Sequence, residues 1–489
     1  MNKIFKSFAL SVVTCALAPQ LSHANEFQPA GVRALGMGGA GVASIRDTNA
    51  SYWNPAAFGF FGEDAPEMQA NDNNNMGGKN FGMSADVGMG VSLQGNLAGH
   101  VDTIGKINFT AIQAAINTPP ATGMTGQTLL DSLNIMNNLQ GLNAPGTGLR
   151  VLANGMGGFR IKNFGLGVQV LGEVGVSSIV DTANLGLSNA AVGAAGVTQA
   201  MGNPVAAAVY TPVYFTPTQF TTVSVTYGAG TAQAMDTQLA ATPTAAGQQG
   251  NVLQGLNTVQ NTTGSIANNS SVIQFQGAMV TEVPLSYGYA ISPSLSVGGS
   301  LKYIQAQVIS SSTQVFNQNS NNFQTQATQV KENRTGFGVD MGMMYRIPQF
   351  QAGLVARNLN SPKFKHSSGY VFEMKPQAKV GLSYIPWDTV SVELDADLTR
   401  NQSVLNSYAT QYINGGVEWD MFKVLALRLG AYQNIAQNDV GTVYTAGLGL
   451  NMWASRLDIG GAMNTKKAQY QGKQYPRELR ASAALNIDF

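Results

Sequence analysis

Charged side chains are scarce in this chain: 27 Lys and Arg and 26 Asp and Glu make up 11% of 489 residues, where an average soluble domain is about one-quarter charged. A soluble surface of this size would carry more charge, and a formal net charge of +1 offers no electrostatic footprint for a nucleic-acid partner. Long apolar runs are also missing: after the N-terminus no stretch reaches 18 consecutive apolar residues, which excludes a bundle of transmembrane helices. Cysteine is limited to Cys15 and histidine to His23, His100 and His366, so disulfides and a histidine-based metal site are not expected. No Ser/His/Asp arrangement, metal cluster or cofactor loop emerges, and neither an enzyme nor a bound cofactor is expected.

The N-terminus has the form of an export signal. Lys3 and Lys6 precede an apolar stretch over residues 8–18, and Ser22-His23-Ala24 supplies small residues for cleavage. A cleaved signal over 1–24 is expected, taking Cys15 with it. Export, low charge and a mean hydropathy of −0.01 together fit a barrel whose lipid-facing and lumen-facing residues alternate and so average out. The expected location is the outer membrane of a Gram-negative bacterium.

Period-two alternation supports that class. Leu479, Ala481, Ala483, Leu485, Ile487 and Phe489 alternate with Arg480, Ser482, Ala484, Asn486 and Asp488, the pattern of a strand with one apolar face. Leu425, Leu427, Leu429 and Ala431 point one way and Arg428 the other; Val390, Val392, Leu394, Ala396 and Leu398 oppose Glu393, Asp395 and Asp397. Strands are expected over 81–95, 149–161, 164–179, 272–291, 295–311, 333–347, 350–359, 374–385, 389–399, 410–421, 424–434, 441–453, 456–464 and 477–489. Tight links at Lys162-Asn163, Ser292-Pro293, Pro348-Gln349, Pro386-Trp387, Phe422-Lys423 and Ala454-Ser455 alternate with longer connections, as in barrels with short periplasmic turns and long outer loops. The expected fold is therefore all-β: an antiparallel transmembrane barrel of about 14 strands over 81–489. Inward carboxylates at Glu393, Asp395 and Asp397 could line a pore or act as acids and bases. Ion pairing within the lumen, with Arg428, Lys379 or Arg480, is the favoured reading.

Two insertions interrupt the pattern. Residues 96–148 contain a short helix, with Leu129, Leu133, Met136 and Leu139 at helical spacing after a break at Pro119-Pro120. Residues 180–271 are rich in Ala, Gly, Thr, Asn and Gln, within a span from Asn163 to Leu301 that holds no Lys or Arg. This insertion is expected to be ordered only in part, either as a variable surface loop or as an apolar landing platform for a ligand.

Between the signal and the first strand lie residues 31–43 (GVRALGMGGAGVA), then Asp47, then residues 51–57 (SYWNPAA). Glycine at this density suits backbone packed in a confined space, and Asn54-Pro55 is a turn signal. The Gly-rich run lacks the strand and helix that would make it a nucleotide loop. The pair "RALGMGGAGVA" and "YWNPAA" resembles the N-terminal signature of the FadL superfamily of outer-membrane barrels, which includes hydrophobic-compound channels and the TraF-type conjugal transfer barrels. The resemblance implies a 14-stranded barrel with residues 25–80 as a lumenal plug, carried by Gly36, Gly38, Gly39, Asp47, Trp53, Asn54, Pro55 and Ala56. It also implies passive uptake of long-chain fatty acids or aromatic hydrocarbons or, as the alternative, a structural role in a conjugal transfer or secretion system. Expected partners are outer-membrane lipid, a hydrophobic small molecule, the barrel-assembly machinery reading the terminal Phe489, and a conjugation or secretion component.

Overall fold

The computed structural model describes residues 26–61, 80–117, 123–314, 331–405, 408–422, 424–452 and 455–488. The signal over 1–24, residues 62–79 of the expected plug, the break at Pro119-Pro120, Lys423 and Ala454 of two expected tight links and the terminal Phe489 lie outside them.

Fourteen strands close into one antiparallel barrel in chain order. They are β1 (Phe81–Gln94), β2 (Gly148–Ile161), β3 (Phe164–Ile179), β4 (Val272–Ser292), β5 (Leu295–Gln314), β6 (Lys331–Ile347), β7 (Phe350–Arg357), β8 (Gln377–Trp387), β9 (Val390–Asp397), β10 (Tyr412–Met421), β11 (Leu425–Asn434), β12 (Val443–Met452), β13 (Ser455–Asn464) and β14 (Glu478–Asp488). Pairing of β1 with β14, from Gly82 opposite Asp488 to Ser92 opposite Glu478, leaves the sheet without an edge. Strand count, antiparallel order and closure are those expected from the alternation.

Alternation forms these strands because each has lipid on one side and a packed lumen on the other. In β1, Met83, Val87, Met89 and Val91 are exposed while Ser84, Asp86, Ser92 and Gln94 are buried. Around the short-turn end, Phe81, Phe159, Phe164, Tyr287, Tyr345, Trp387 and Trp419 stand exposed, an interfacial aromatic girdle. Among the described residues no helix is long and apolar enough to cross a membrane.

Two tight links fall elsewhere than expected. The first is shifted by one residue, β4 running to Ser292 and turning at Pro293-Ser294. In the second, strand β8 continues through Pro386 to Trp387, and the turn is Asp388-Thr389. A register irregularity between Tyr384 and Trp387 accommodates the proline, whose missing N–H costs nothing where the ladder is already broken.

The wall is uneven. Strands β3 to β6 run 16, 21, 20 and 17 residues, whereas β7 and β9 have 8 each. Spanning takes about 9–11 residues, so the tall side rises past the bilayer and carries a helical cap. Before the barrel, residues 26–61 form the short helices α1 (Val32–Gly36) and α2 (Ala50–Trp53) and a 3-10 turn at Pro55–Phe60.

The cap is built from both insertions. The first supplies α3 (Leu97–Ile104), α4 (Phe109–Asn117) and α5 (Gly126–Leu142); the second supplies α6 (Gly193–Ala200), α7 (Pro217–Tyr227), α8 (Ala229–Ala240) and α9 (Gln249–Gln260). Residues 180–271, expected to be ordered only in part, are thus folded. Leu129, Leu133, Met136 and Leu139 of α5 share one buried cluster with Val197, Leu239, Val252 and Leu256, so each insertion supplies the apolar surface the other needs. Asp236 orders the irregular stretch between α6 and α7 by accepting hydrogen bonds from the backbone N–H groups of Val213, Tyr214 and Phe215. Asp181 joins the two ends of the second insertion, accepting from the Asn184 amide at 2.8 Å and from the Ser270 N–H and hydroxyl at 3.1 and 2.8 Å. Partial burial opposes its charge, but those hydrogen bonds prevail and hold its carboxyl at about 2, below the usual 3.8.

Candidate functional site

The lumen is occupied by the chain's own residues 26–61, which touch all fourteen strands. Ser84 of β1 bonds Thr48, Arg150 of β2 meets Glu26, the Gly172 carbonyl of β3 takes the Gln28 amide, and Ser296 of β5 donates to the Ala56 carbonyl at 2.6 Å. Asn54 donates to the Met343 carbonyl of β6 at 3.1 Å, and Glu393 of β9 and Glu418 of β10 hold Arg33. Thr445 of β12 donates to the Gly36 carbonyl and accepts from the Gly38 N–H, both at 3.0 Å. Arg480 of β14 reaches Glu26. On β4, β7, β8, β11 and β13, glycines 288, 353, 381, 430 and 460 let the segment lie directly against the wall.

The motif residues build this seat. Gly38 has φ 71°, and a Cβ there would stand 2.4 Å from the carbonyl oxygens of both Gly415 and Ala431, so only glycine fits. Gly39 also has positive φ, and Gly36 lies against Arg428 and Gly447. Asp47 accepts from the Asn49 N–H at 2.8 Å. The Trp53 indole donates to the Ala30 carbonyl at 2.9 Å and packs with Phe27 and Tyr52, ring centroids 5.1 to 5.5 Å apart. Asn54 caps the 3-10 turn by accepting from the Ala56 N–H, while its amide also donates to the Val42 carbonyl. Pro55 rests on Gly298, where a Cβ would come within 2.4 Å of its carbonyl carbon.

The expected lumenal charges all face inward, but most of their expected pairings with one another do not form. Glu393 binds Arg33 at 2.7 Å; Asp395 accepts from the Gly41 and Val42 N–H groups at 2.9 and 3.1 Å. Of the three cations named, only Lys379 reaches one of these carboxylates, Asp397, at 3.2 Å. Arg428 instead bridges Glu418 and Asp458 at 2.6 and 2.8 Å, and Arg480 bridges Glu26 and Glu478 at 3.0 and 2.7 Å. Glu393 and Arg480 turn to charges of the segment that fills the lumen, Arg33 and Glu26, while Arg428 finds wall carboxylates on β10 and β13. A third cluster joins Lys302 to Glu282 and Asp340 and Arg357 to Glu282, with the Arg357 guanidinium 4.0 Å over the Tyr52 ring.

Reasoning from sequence missed Glu26, Arg33, Arg150, Glu282 and Glu418. The wall residues among them carry the inward parity of their strands, which could have found them. Glu26 sits in a segment without periodicity, where nothing local marks it; Arg33 heads the Gly-rich motif, which marks its position but not its charge partners.

Above the charged layer the lumen turns apolar. Ala278 and Val280 of β4 and Ile304, Ala306 and Val308 of β5 pack with Phe364, Phe372 and Met374, brought in by a hairpin of strands Lys363–Lys365 and Val371–Glu373. At the mouth lies a cavity of about 500 Å³ lined by Tyr370, Phe372, Val404 and Leu405, with Gln274 and Gln276 on the wall. Among the described residues, no His/Cys/Asp/Glu group is arranged to hold a metal.

An edge-free barrel with a lipid-facing band, short turns at one end and its N-terminal segment anchored in the lumen is an outer-membrane β-barrel. The family described as "F plasmid transfer operon, TraF, protein" matches residues 52–397, and the chain belongs to that family. No curated protein matches it. Similar solved structures include the Ralstonia pickettii toluene transporter TbuX (13% identity, TM-score 0.45, covering 94% of this chain and 98% of that one). Also similar are the CymD monoaromatic hydrocarbon channel (11%, 0.44, 94% and 97%) and a Pseudomonas aeruginosa FadL homologue (9%, 0.42, 94% and 98%).

Proposed function

We propose that the protein is a non-enzymatic channel for passive uptake of hydrophobic molecules, such as aromatic hydrocarbons or long-chain fatty acids, with residues 26–61 as its plug. The observation that carries this reading is the cavity lined by Tyr370, Phe372, Val404 and Leu405, continuous in height with the apolar cluster on β4 and β5. Its size suits a small ligand; Gln274, Gln276, Gln402 and Ser403 add neutral polar groups to the apolar lining, and its one carboxylate, Glu373, is paired with Lys363 at 3.1 Å, so an uncharged ligand is favoured. Beneath it the plug blocks the path, so passage requires the plug to shift. An exit through the wall is supported at β3 and β4. There Leu166 pairs with Leu285 and Gln169 with Glu282, but the two positions between, opposite Val283 and Pro284, carry no ladder pairing, since proline has no N–H to give. The Phe58 ring of the plug rests against Gly165 beside this gap. Outer-leaflet lipid around the apolar band and barrel-assembly machinery reading Phe489 complete the proposed partners.

The test is entry of a labelled alkylbenzene or fatty acid into liposomes holding the purified protein. Uptake above that of empty liposomes is expected, together with a loss of about tenfold for Phe372→Ser, from the apolar contact removed. Entry no faster than in empty liposomes would sink the channel reading.

A second reading, a structural component of a conjugal transfer or secretion system, is favoured by the family's description and by a folded cap larger than a pore needs. Recovery of a defined surface or periplasmic partner from native membranes supports it, and repeated absence of one counts against it.

A further inference from the structure

The cap holds a second cavity, of about 660 Å³, where α3, α5 and α9 meet. On α5, Asn134, Asn137 and Asn138 are spaced three and four residues apart and so share one face. Facing them, Gln248, Asn251 and Gln254 recur every third residue at the start of and along α9. His100 of α3 closes the side, its imidazole bonded to Asn138 at 2.9 Å, and Gly141 leaves the room that ring occupies, since a Cβ there would stand 2.2 Å from it.

Two features set this cleft apart from ordinary surface. Its lining carries no Lys, Arg, Asp or Glu and no large apolar side chain; it is walled chiefly by carboxamides, each with two N–H donors and one carbonyl acceptor and no net charge. Some are already oriented: Asn137 donates to the Asn251 carbonyl at 2.7 Å, and Asn138 donates to the Asn134 carbonyl at 2.7 Å. Second, the Asn137 side-chain oxygen is buried without any hydrogen-bond partner, a state that costs about 1–3 kcal/mol unless a donor arrives. It is a free acceptor on a residue that lines the cleft.

We propose that this cleft binds an uncharged saccharide. A hydroxyl both donates and accepts, so neighbouring hydroxyls on a sugar ring match a row of neutral amides. A phosphate or a sulfated glycan would need a cation that the lining lacks, a hydrocarbon would leave the amides unpaired, and a peptide would need apolar recesses for its side chains. The cap projects from the long-loop end of the barrel, where a saccharide chain can reach it. Saccharide linked to outer-leaflet lipid and free oligosaccharide share this chemistry.

Isothermal titration of the full-length protein in detergent separates these cases. The probes are maltotriose, chitotriose and delipidated polysaccharide from the native cell surface, with dextran sulfate and triglycine as controls. Saturable binding of at least one uncharged saccharide is expected, weakened about tenfold in the Asn137→Ala, Gln254→Ala double variant; the responding arm identifies the source. Heat-modifiable gel migration, which reports barrel folding, should match the parent, and the single Gln254→Ala variant, altered only at an exposed side chain, should show part of the loss. Absence of saturable saccharide binding, unchanged affinity in the double variant, or tighter binding of dextran sulfate or triglycine would overturn the proposal.

Discussion

Arg33 places its guanidinium Nη2 2.7 Å from Oε1 of Glu393, across 360 positions of chain, with the glutamate fully buried. The same guanidinium reaches Glu418 at 3.1 Å, so one cation of the lumenal segment is held by two neighbouring strands of the wall. Removing one partner of a buried pair typically costs about 3–5 kcal/mol, but here the second carboxylate remains. Glu393→Gln alone should therefore loosen the segment modestly. The Glu393→Gln, Glu418→Gln double variant should loosen it by more than the sum of the two, because both act on Arg33. Open probability in planar bilayers reads the difference, and equal, additive effects would show that Arg33 is not the shared link.

Deleting residues 25–60 should raise single-channel conductance. An unchanged conductance would mean that this segment, despite its contacts with every strand, does not occlude the path.

Gly298→Val should displace the segment at Pro55. A Cβ at Gly298 would meet the Pro55 carbonyl at 2.4 Å, and backbone cannot yield as a flexible side chain can; overpacking of this kind costs about 1–3 kcal/mol. Protease sensitivity of the lumenal segment should rise. Gly155→Ala serves as the control, because its Cβ would meet only the Asp86 carbonyl, at 3.7 Å, and no change is expected there.

Asp181 makes the cap sensitive to acid. Its folded-state carboxyl sits at about 2 against a usual 3.8, so its contribution to stability is fully present above about 3.8 and is lost as pH falls from there towards about 2. Near-ultraviolet circular dichroism of the cap tyrosines, Tyr210, Tyr214 and Tyr227, should change across that window. Asp181→Asn should weaken the cap at neutral pH and flatten the response. A parent-like profile in that variant would remove Asp181 from the explanation.

The barrel was legible because its cause is local. A strand between lipid and a polar lumen must alternate, and β1, β9, β11 and β14 state their orientation residue by residue. Boundaries shifted by one to three residues at several strands, as at β5, which runs on to Gln314, and at β8, which starts at Gln377 and runs through the bulge at Pro386 to Trp387. The cap was not legible in the same way. Its second insertion has too little apolar periodicity to declare a core, because that core is completed by α5 from the other insertion, and Gly255 can pack against Leu133 only once the two meet.

The sequence by itself therefore determined the alternating strands, their number, the closed barrel and the N-terminal motif, all properties of neighbours along the chain. Tertiary structure alone decided which charges meet. Glu26 finds Arg480, 454 positions away, and Arg33 finds Glu393, because closure of β1 on β14 encloses a lumen in which the segment must neutralise the wall and the wall the segment. Electrostatic partners in a low-dielectric interior are set by distance in space, and no pattern along the chain encodes that distance.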